Sequence, residues 1–306
     1  METDANDLTF VETREAVGSC PRCRYVMPRL LDSAPAYFRN GFVPCDHCGE
    51  HVDLWHATLE SVTRMSIAPA WAVATIGAGK TNFVMSIETG EFCEVQLTNH
   101  EVPSDARILS RNYTGQGGDV TAIEWHGNSP PLRFPGTVLR LFGVPLGKGP
   151  LPRSGRVAIS VVWIRSDDSD AWPYLATAFE SAAAREYAPS LVFAQSAVEI
   201  SMMPLIERRL RRHSSAEHVK KFMRDSITYS YALNVVLPYF CGETNIAPMN
   251  DSIRGALNKM RKRRNDIIHK GAKAAAVTAT DAMEGLCAAA FGFEYMRFVR
   301  PLLERT

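Results

Sequence analysis

The chain of 306 residues is long enough for two or three domains, and its apolar (46%) and charged (22%) fractions are those of an ordinary globular protein. A net charge of +1 excludes a uniformly basic or acidic chain. The N-terminus carries Glu2, Asp4 and Asp7 rather than a basic segment followed by an apolar one, and no uninterrupted apolar run approaches the ~20 residues that span a bilayer. We therefore expect a cytoplasmic protein without a membrane span.

The basic residues are concentrated in one part of the chain. Positions 201–270 contain fourteen Lys and Arg against six Asp and Glu, a local excess of +8. Such asymmetry is typical of a surface that binds an anionic partner, and a solvated helix face produces the same pattern.

Two Cys-x-x-Cys pairs mark the N-terminal region. They are formed by Cys20, Cys23, Cys45 and Cys48, with 21 residues between the pairs. Such pairs offer two ligands each to a tetrahedral zinc ion, and Gly49 suits the turn after the second pair. Because four thiolates leave no open position, we predict one structural zinc ion per chain. Two unrelated pairs of free thiols are the alternative, and the nearby His47, His51 and His56 could each replace a cysteine. The arrangement resembles a zinc ribbon, which we assign to residues 1–62.

Residues 63–168 have the texture of a β-rich domain. Short alternating runs occur at 83–87, 93–97 and 157–163, and Gly- and Pro-containing turn signals separate them. Short strands at this spacing favour an antiparallel β-sandwich or barrel. With a helical domain over residues 169–306, the sequence therefore predicts a multidomain α+β fold.

From residue 169 to 306 the apolar period becomes helical. We predict helices over about 189–212, 215–240 and 281–299, and another that starts at Asn250 or Asp251. The segment Thr278–Asp281 is a capping box for the last helix, and Gly271 is a natural stop for the one before it. Together these elements predict an α-helical bundle.

A glycine-rich segment, Ala74–Thr81, has some features of a phosphate-binding loop. Such a loop needs a long helix after it, with its N-terminus facing the phosphates. Here residues 82–87 alternate like a strand. We therefore interpret the segment as a hairpin turn rather than as an ATPase motif.

The basic helix ends in Arg264, Asn265 and, five residues after the arginine, His269. An arginine can stabilise charge on phosphorus oxygens, and a histidine can move a proton near neutral pH. Asn265 and His269 share a helix face, whereas Arg264 and His269 diverge by about 140°. Arg264 must reach around the helix, or the site must be shared by two subunits. A lone histidine near a helix C-terminus can equally be a simple dipole partner.

The segment Arg264–His269 resembles the Arg-polar-x-His signature of HEPN domains, and the segment Gln195–Ile200 resembles their early helix. HEPN domains are small helical bundles, commonly dimeric. The resemblance implies a metal-independent RNA endonuclease that leaves 2′,3′-cyclic phosphate ends, with Arg264, His269 and Asn265 as catalytic residues. It also implies RNA as a partner, a homodimer through the helical domain, and a toxin, antiviral or stress-response role.

The alternative is a non-catalytic module on the same bundle that binds a nucleotide, RNA or a protein, since some HEPN domains lack activity. Under the first hypothesis the zinc ribbon and the β-rich domain serve as a sensor or regulator, and a protein partner is left open. Exposure of Arg264 and His269 in an open cleft favours the enzyme, whereas burial under carboxylates favours the alternative.

Overall fold

The computed structural model describes residues 18–64, 76–116, 120–124, 137–151, 153–165, 169–270 and 276–305. Over these residues the fold is mixed, with helices and three small antiparallel sheets. Gly271 and the first two residues of the glycine-rich segment, Ala74 and Thr75, lie outside the described residues.

The N-terminal module carries the four cysteines, two helices and a two-stranded sheet. Its elements are α1 (Leu30–Asn40), β1 (Val43–Pro44), β2 (His51–Val52) and α2 (Leu54–Arg64). Helix α1 ends at Gly41, whose φ of 78° is left-handed and whose N–H donates to the Tyr37 carbonyl at 2.7 Å. The side chain of Asp53 joins the two helices, because it accepts hydrogen bonds from the Tyr37 hydroxyl and from the Trp55 N–H.

Six strands form the two larger sheets. They are β3 (Gly79–Glu88), β4 (Phe92–Gln96), β5 (Arg107–Gln116), β6 (Val120–Glu124), β7 (Val138–Pro145) and β8 (Ser154–Ile164). The sheet orders are β3-β8-β5 and β4-β7-β6, all antiparallel, and a 3₁₀ turn over Leu97–His100 follows β4. One apolar cluster takes side chains from both sheets, including Ile159 and Leu141. The predicted alternating runs therefore lie in β3, β4 and β8, where Ile87, Val95 and Ile159 are buried and Phe83 and Met85 half-buried.

The remaining elements are helical. They are α3 (Trp172–Ala183), α4 (Tyr187–Leu210), α5 (Ala216–Asp225), α6 (Tyr229–Tyr231), a π-helical turn (Ala232–Val236), α7 (Leu237–Glu243), α8 (Asp251–Lys270) and α9 (Ala279–Arg305). The predicted helix over 215–240 is interrupted, because Thr228 caps a new start with its hydroxyl on the Tyr231 N–H. The predicted start of α8 is confirmed, with the Asn250 side chain accepting from the Ser252 N–H.

Helix α9 is the central element of the larger core. Phe291, fully buried in its middle, contacts Tyr37 of α1 and Trp55 of α2 edge-on, at ring-centroid distances of 5.8 and 5.3 Å. On another side, Gly285 allows close approach of α4, since a Cβ there would lie 2.3 Å from the Leu191 side chain. The cysteine module and the helices therefore share one apolar core.

An ion pair and hydrogen bonds connect the β-strands to the helices. Arg107 of β5 pairs with Glu180 of α3 at 2.6 Å, with both side chains about four-fifths buried. Trp172 donates its indole N–H to the Arg165 carbonyl at 2.9 Å. These contacts hold α3 against the first residue of β5 and the residue that follows β8.

One described helix, Tyr187–Leu210, is long and apolar enough to cross a membrane by length and composition. The core helix of a soluble protein passes the same test, and 56% of the tested window is buried inside the fold. Its apolar side chains pack on α3 and α9, among them Leu191, Val198 and Leu205.

Candidate metal centre and candidate active site

The four predicted cysteine ligands come together. Their Sγ atoms all lie within 4.8 Å of one another, and the Cys20–Cys48 and Cys23–Cys45 pairs are each 3.6 Å apart. A tetrahedral ion with Zn–S bonds of about 2.3 Å requires sulfurs about 3.8 Å apart. The geometry and the all-sulfur donor set therefore fit a metal ion such as zinc.

The two cysteine pairs have the same backbone geometry. In the first, the Arg24 N–H donates to the Cys20 carbonyl at 2.9 Å, and in the second the Gly49 N–H donates to the Cys45 carbonyl at 2.8 Å. Arg24 and Gly49 both have left-handed φ angles, 62° and 73°. Each turn thus directs two sulfurs at the same point. The second turn has glycine, the residue type that a left-handed φ favours, at its left-handed position.

The four thiols do not lose their protons with equal ease. Burial raises the pKa of the Cys20 thiol, but the backbone N–H groups of Cys23 and Arg22 and the thiols of Cys48 and Cys23 lower it to about 7. Burial and neighbouring thiols raise the pKa of Cys23 and of Cys48, so an ion that binds all four as thiolates must displace protons from them. The histidines that sequence alone leaves as alternative ligands are not in the cluster: the Tyr25 ring stacks on His47, and the Phe42 ring on His51.

Arg264, Asn265 and His269 all lie on α8, and the structure brings the first two together. Arg264 is half-buried and donates from Nη1 to Oδ1 of Asn265 at 3.3 Å. His269 is exposed and, within the described part of the chain, makes no hydrogen bond or ion pair. Neither Arg264 nor His269 has a carboxylate partner among the described residues. The arginine is therefore oriented, and the histidine is accessible one helical turn from Asn265.

A polar cluster around Arg261 includes residues from three helices. Tyr229, at the start of α6, is buried, and its hydroxyl has no hydrogen-bond partner among the described residues. Burial and the nearby Glu199 carboxylate raise its pKa, and the positive charge of Arg261 opposes that shift. The Nε atoms of Arg261 and Arg264 are also buried without a partner in the described structure. Polar atoms with unmet hydrogen-bonding capacity are thus concentrated on this side of α8.

The π-helical turn is attached to α8 by a pair of asparagines. Asn258 donates to Oδ1 of Asn234 at 2.9 Å, and Asn234 donates back at 3.2 Å. Asn258 lies seven residues before Asn265, on the same face of α8. A π-helical turn inside an α-helical segment is often found at a functional site.

Several basic residues of α8 are paired with acidic residues. Arg263 pairs with Asp281 at 3.1 Å, and Lys259 pairs with Glu284, so the α9 side of the helix is neutralised. Lys262 is exposed and has no carboxylate partner in the described residues. Lys262 lies about 20° from His269 around the helix, so the face that carries His269 retains uncompensated positive charge.

The glycine-rich segment does not lead into a helix. Lys80 and Thr81 lie in β3, where they face Val162 and Val161 of β8. The Trp163 ring lies over Gly79, where a Cβ would come within 2.3 Å of it, and its indole N–H donates to the Thr81 hydroxyl. Trp163 therefore packs within the β-strands, and no helix N-terminus follows the lysine to hold a phosphate.

Sequence reasoning missed the residues around the motif. Arg254, Asn258 and Arg261 lie on one helical stripe with Asn265, and extending that stripe backward from Asn265 would have found them. No sequence signal marks Tyr229 or Asn234. Glu199 lies in the segment Gln195–Ile200 that the resemblance singles out, but only the tertiary fold brings these three residues close to α8.

Comparison with known protein families, with curated proteins and with solved structures finds no match.

Proposed function

We propose that the chain is a metal-independent RNA endonuclease of the HEPN type. The helices after residue 169 would form a HEPN-like bundle, and the two three-stranded sheets an antiparallel sandwich. The observation that carries the proposal is the Arg264–Asn265 hydrogen bond, one helical turn from the exposed His269, on the face of α8 that retains uncompensated positive charge.

In the proposed reaction the ribose 2′-oxygen attacks the adjacent phosphorus, and the bond from phosphorus to the 5′-oxygen breaks. The 2′-hydroxyl loses its proton, the leaving 5′-oxygen gains one, and a 2′,3′-cyclic phosphate remains. His269 acts as the general base or acid. Arg264 stabilises the negative charge on the phosphorus oxygens, and Asn265 orients the guanidinium.

The candidate metal site lies on the N-terminal module and not on α8. Among the described residues, the one group of three or more side chains able to hold a metal is the cysteine cluster. That cluster is on the N-terminal module, and four sulfurs leave no position for substrate. We propose that its zinc is structural, and that this module and the β-strands act as a sensor or regulator in a toxin, antiviral or stress-response system in the cytoplasm.

We further propose a homodimer through the helical region. Within one chain, Arg264 and His269 point about 140° apart around α8. A second copy placed across a two-fold axis would bring the histidine of one subunit to the arginine of the other, since each subunit uses the same surface.

The test is cleavage of a labelled single-stranded RNA in EDTA, with zinc content measured before and after. The parent should cut and leave cyclic phosphate ends. His269→Ala should lower the rate by about 10²–10⁴, and Arg264→Ala by about 10²–10³. His218→Ala and Arg224→Ala, exposed substitutions on α5, are matched controls and should cut at the parent rate. Unchanged cleavage by His269→Ala would refute this mechanism.

The second candidate is a non-catalytic binding module on the same helices. It is favoured by the absence of a hydrogen bond between His269 and either Arg264 or Asn265 in the described structure. RNA that binds but is never cut, in the same assay, would select this candidate.

A further inference from the structure

The π-helical turn and its neighbours carry a run of exposed apolar side chains. Tyr231, Val235 and Tyr239 are 45%, 47% and 61% exposed. Single exposed apolar residues are ordinary, but three successive turns of one segment with two aromatic rings are a surface feature. Within the described residues, no ring contact or hydrogen bond involves the side chain of Tyr231.

This surface adjoins the polar stripe of α8. Asn234 contacts Asn258 of α8, and Tyr231, the last residue of α6, lies three residues earlier, directly before the π-helical turn. Tyr231 therefore lies within one turn of the seam between the π-helical turn and α8. Tyr239 lies five residues after Asn234, in α7, and its hydroxyl interacts with the Glu243 carboxylate, which raises its pKa.

Two arginines lie along the α8 side of this seam. Arg254 lies one turn before Asn258, and Arg261 one turn after it. His269 lies on the same face, about 22 Å along the helix from Arg254. Arg254 pairs with Asp251 at 2.5 Å, but the Asp251 side chain is 88% exposed. The Arg254 side chain is 28% exposed, and its solvated partner carboxylate contributes little and can be exchanged for another anion.

We propose that the 231–261 face, made by Tyr231, Asn234, Arg254, Asn258 and Arg261, binds single-stranded RNA beside the cleavage position. One base stacks on Tyr231, and the two arginines contact the phosphates on either side of it. Aromatic rings interleaved with cations are how proteins hold single strands, because every unpaired base offers a flat face. A duplex keeps its bases stacked inside and cannot use Tyr231. The inference rests on the proposed function, since it places this RNA on the helix that carries His269.

The test is fluorescence anisotropy of a labelled single-stranded RNA on the zinc-loaded full chain, with His269→Ala in every protein so that no cleavage occurs. Tyr231→Ala should weaken binding by about 5- to 150-fold. Tyr231→Phe should bind like the parent, because it keeps the ring. Tyr239→Ala is the control. It removes a more exposed ring from the same segment, next to the Glu243 carboxylate, and should bind RNA like the parent. Arg254→Gln and Arg261→Gln should each reduce the slope of log Kd against log salt by about 0.7.

Binding of Tyr231→Ala within two-fold of the parent, with unchanged melting, would overturn the proposal. A change in molecular mass by light scattering without a change in RNA affinity would also overturn it, since the face would then join two protein chains. RNA that binds through Tyr231 but is not cleaved by the wild-type chain would uphold this face and reject the nuclease. Cleavage that depends on His269 but not on Tyr231 would uphold the nuclease and reject this face.

Discussion

Arg264 donates a hydrogen bond from Nη1 to Oδ1 of Asn265, at 3.3 Å between consecutive residues of α8. Around the helix, Asn265 lies between Arg264 and His269, about 100° from one and about 40° from the other. The bond therefore directs the guanidinium away from the core side of α8 and toward the face that presents the histidine. Among the described residues, it is the contact that joins two of the three motif residues within one chain.

Replacing Asn265 tests whether that orientation matters. Asn265→Ala should lower the RNA cleavage rate by about 10- to 100-fold, because a misplaced catalytic group can cost about 10² in rate. Asn265→Asp should also be slow, since its carboxylate neutralises the charge that Arg264 offers to the phosphate. Lys262→Ala is the neighbouring control and should weaken binding in a salt-dependent way with little change in single-turnover rate. Single-turnover kinetics separate the two effects, and parent-like cleavage by Asn265→Ala would show that the bond is incidental.

Loss of the metal should affect more than the N-terminal module. Because Phe291 of α9 packs on Tyr37 and Trp55, unfolding around the cysteines removes one wall of the core around α9. We expect Cys45→Ser to lose the metal and to increase hydrogen exchange both in α1 and α2 and in the middle of α9. A structural zinc site can supply on the order of 10 kcal/mol of metal-coupled folding free energy.

The control for that experiment is Cys93→Ser, a half-buried cysteine of β4 outside the cluster. It should keep the full metal content and the parent exchange pattern. Parent-like protection of α9 in a metal-free Cys45→Ser protein would show that the helices fold independently of the module.

Local signals allowed several elements to be predicted from the sequence. The capping box is confirmed, since the Thr278 hydroxyl accepts from the Asp281 N–H at 3.1 Å and donates to its carboxylate at 2.8 Å. The start of α8 at Asp251 and the strand over residues 82–87 followed from side-chain type and alternation in the same way. The hairpin turn predicted for the glycine-rich segment is wrong at Gly79, Lys80 and Thr81, which extend this strand and pair with β8. Each depends on residues within a few positions of one another, which sequence records directly.

What sequence could not predict depends on distant contacts. The cysteine spacing predicted the ligand cluster, but nothing in it indicated that Phe291 would lie against the same module. The π-helical turn has no residue signature, and Asn234 is brought to Asn258 only by packing of the two helices. Likewise, Tyr229 and Glu199 are 30 residues apart in the sequence, and their proximity to Arg261 is a property of the tertiary fold.

Asp281 should make the stability of α9 depend on pH. Burial alone would raise its pKa, but hydrogen bonds from Thr278 and the charges of Arg263 and Lys259 lower it. A carboxyl with a depressed pKa stabilises the fold above its unfolded pKa of about 3.9, and this contribution is lost as the pH falls through the lower folded value. The parent should therefore be about 1 kcal/mol more stable than Asp281→Asn from pH 5 to 8. The difference should shrink below about pH 4.

Urea unfolding across that pH range measures the effect. Asp225→Asn, in an exposed ion pair with Arg224, is the control and should change stability little at any pH. A constant difference between the parent and Asp281→Asn down to pH 2.5 would mean that the Asp281 charge does not contribute.

The last prediction concerns whether the proposed site is shared between two chains. Arg264 and His269 diverge by about 140°, and no hydrogen bond joins them in the described residues. If the arginine of one chain works with the histidine of the other, two inactive variants should rescue each other. We expect a mixture of Arg264→Ala and His269→Ala proteins, unfolded together and refolded with zinc, to regain cleavage.

The size of the recovery is fixed by the symmetry of the dimer. In an equal mixture half of the dimers contain one chain of each kind. Each mixed dimer has one site with both residues intact and one with neither, so activity should return to about a quarter of the parent. If each site lies within one chain, every site in the mixture lacks a residue and the activity stays at the level of the single variants. A mixture of His269→Ala with His269→Gln controls for refolding, because neither chain supplies the missing histidine and no recovery is expected.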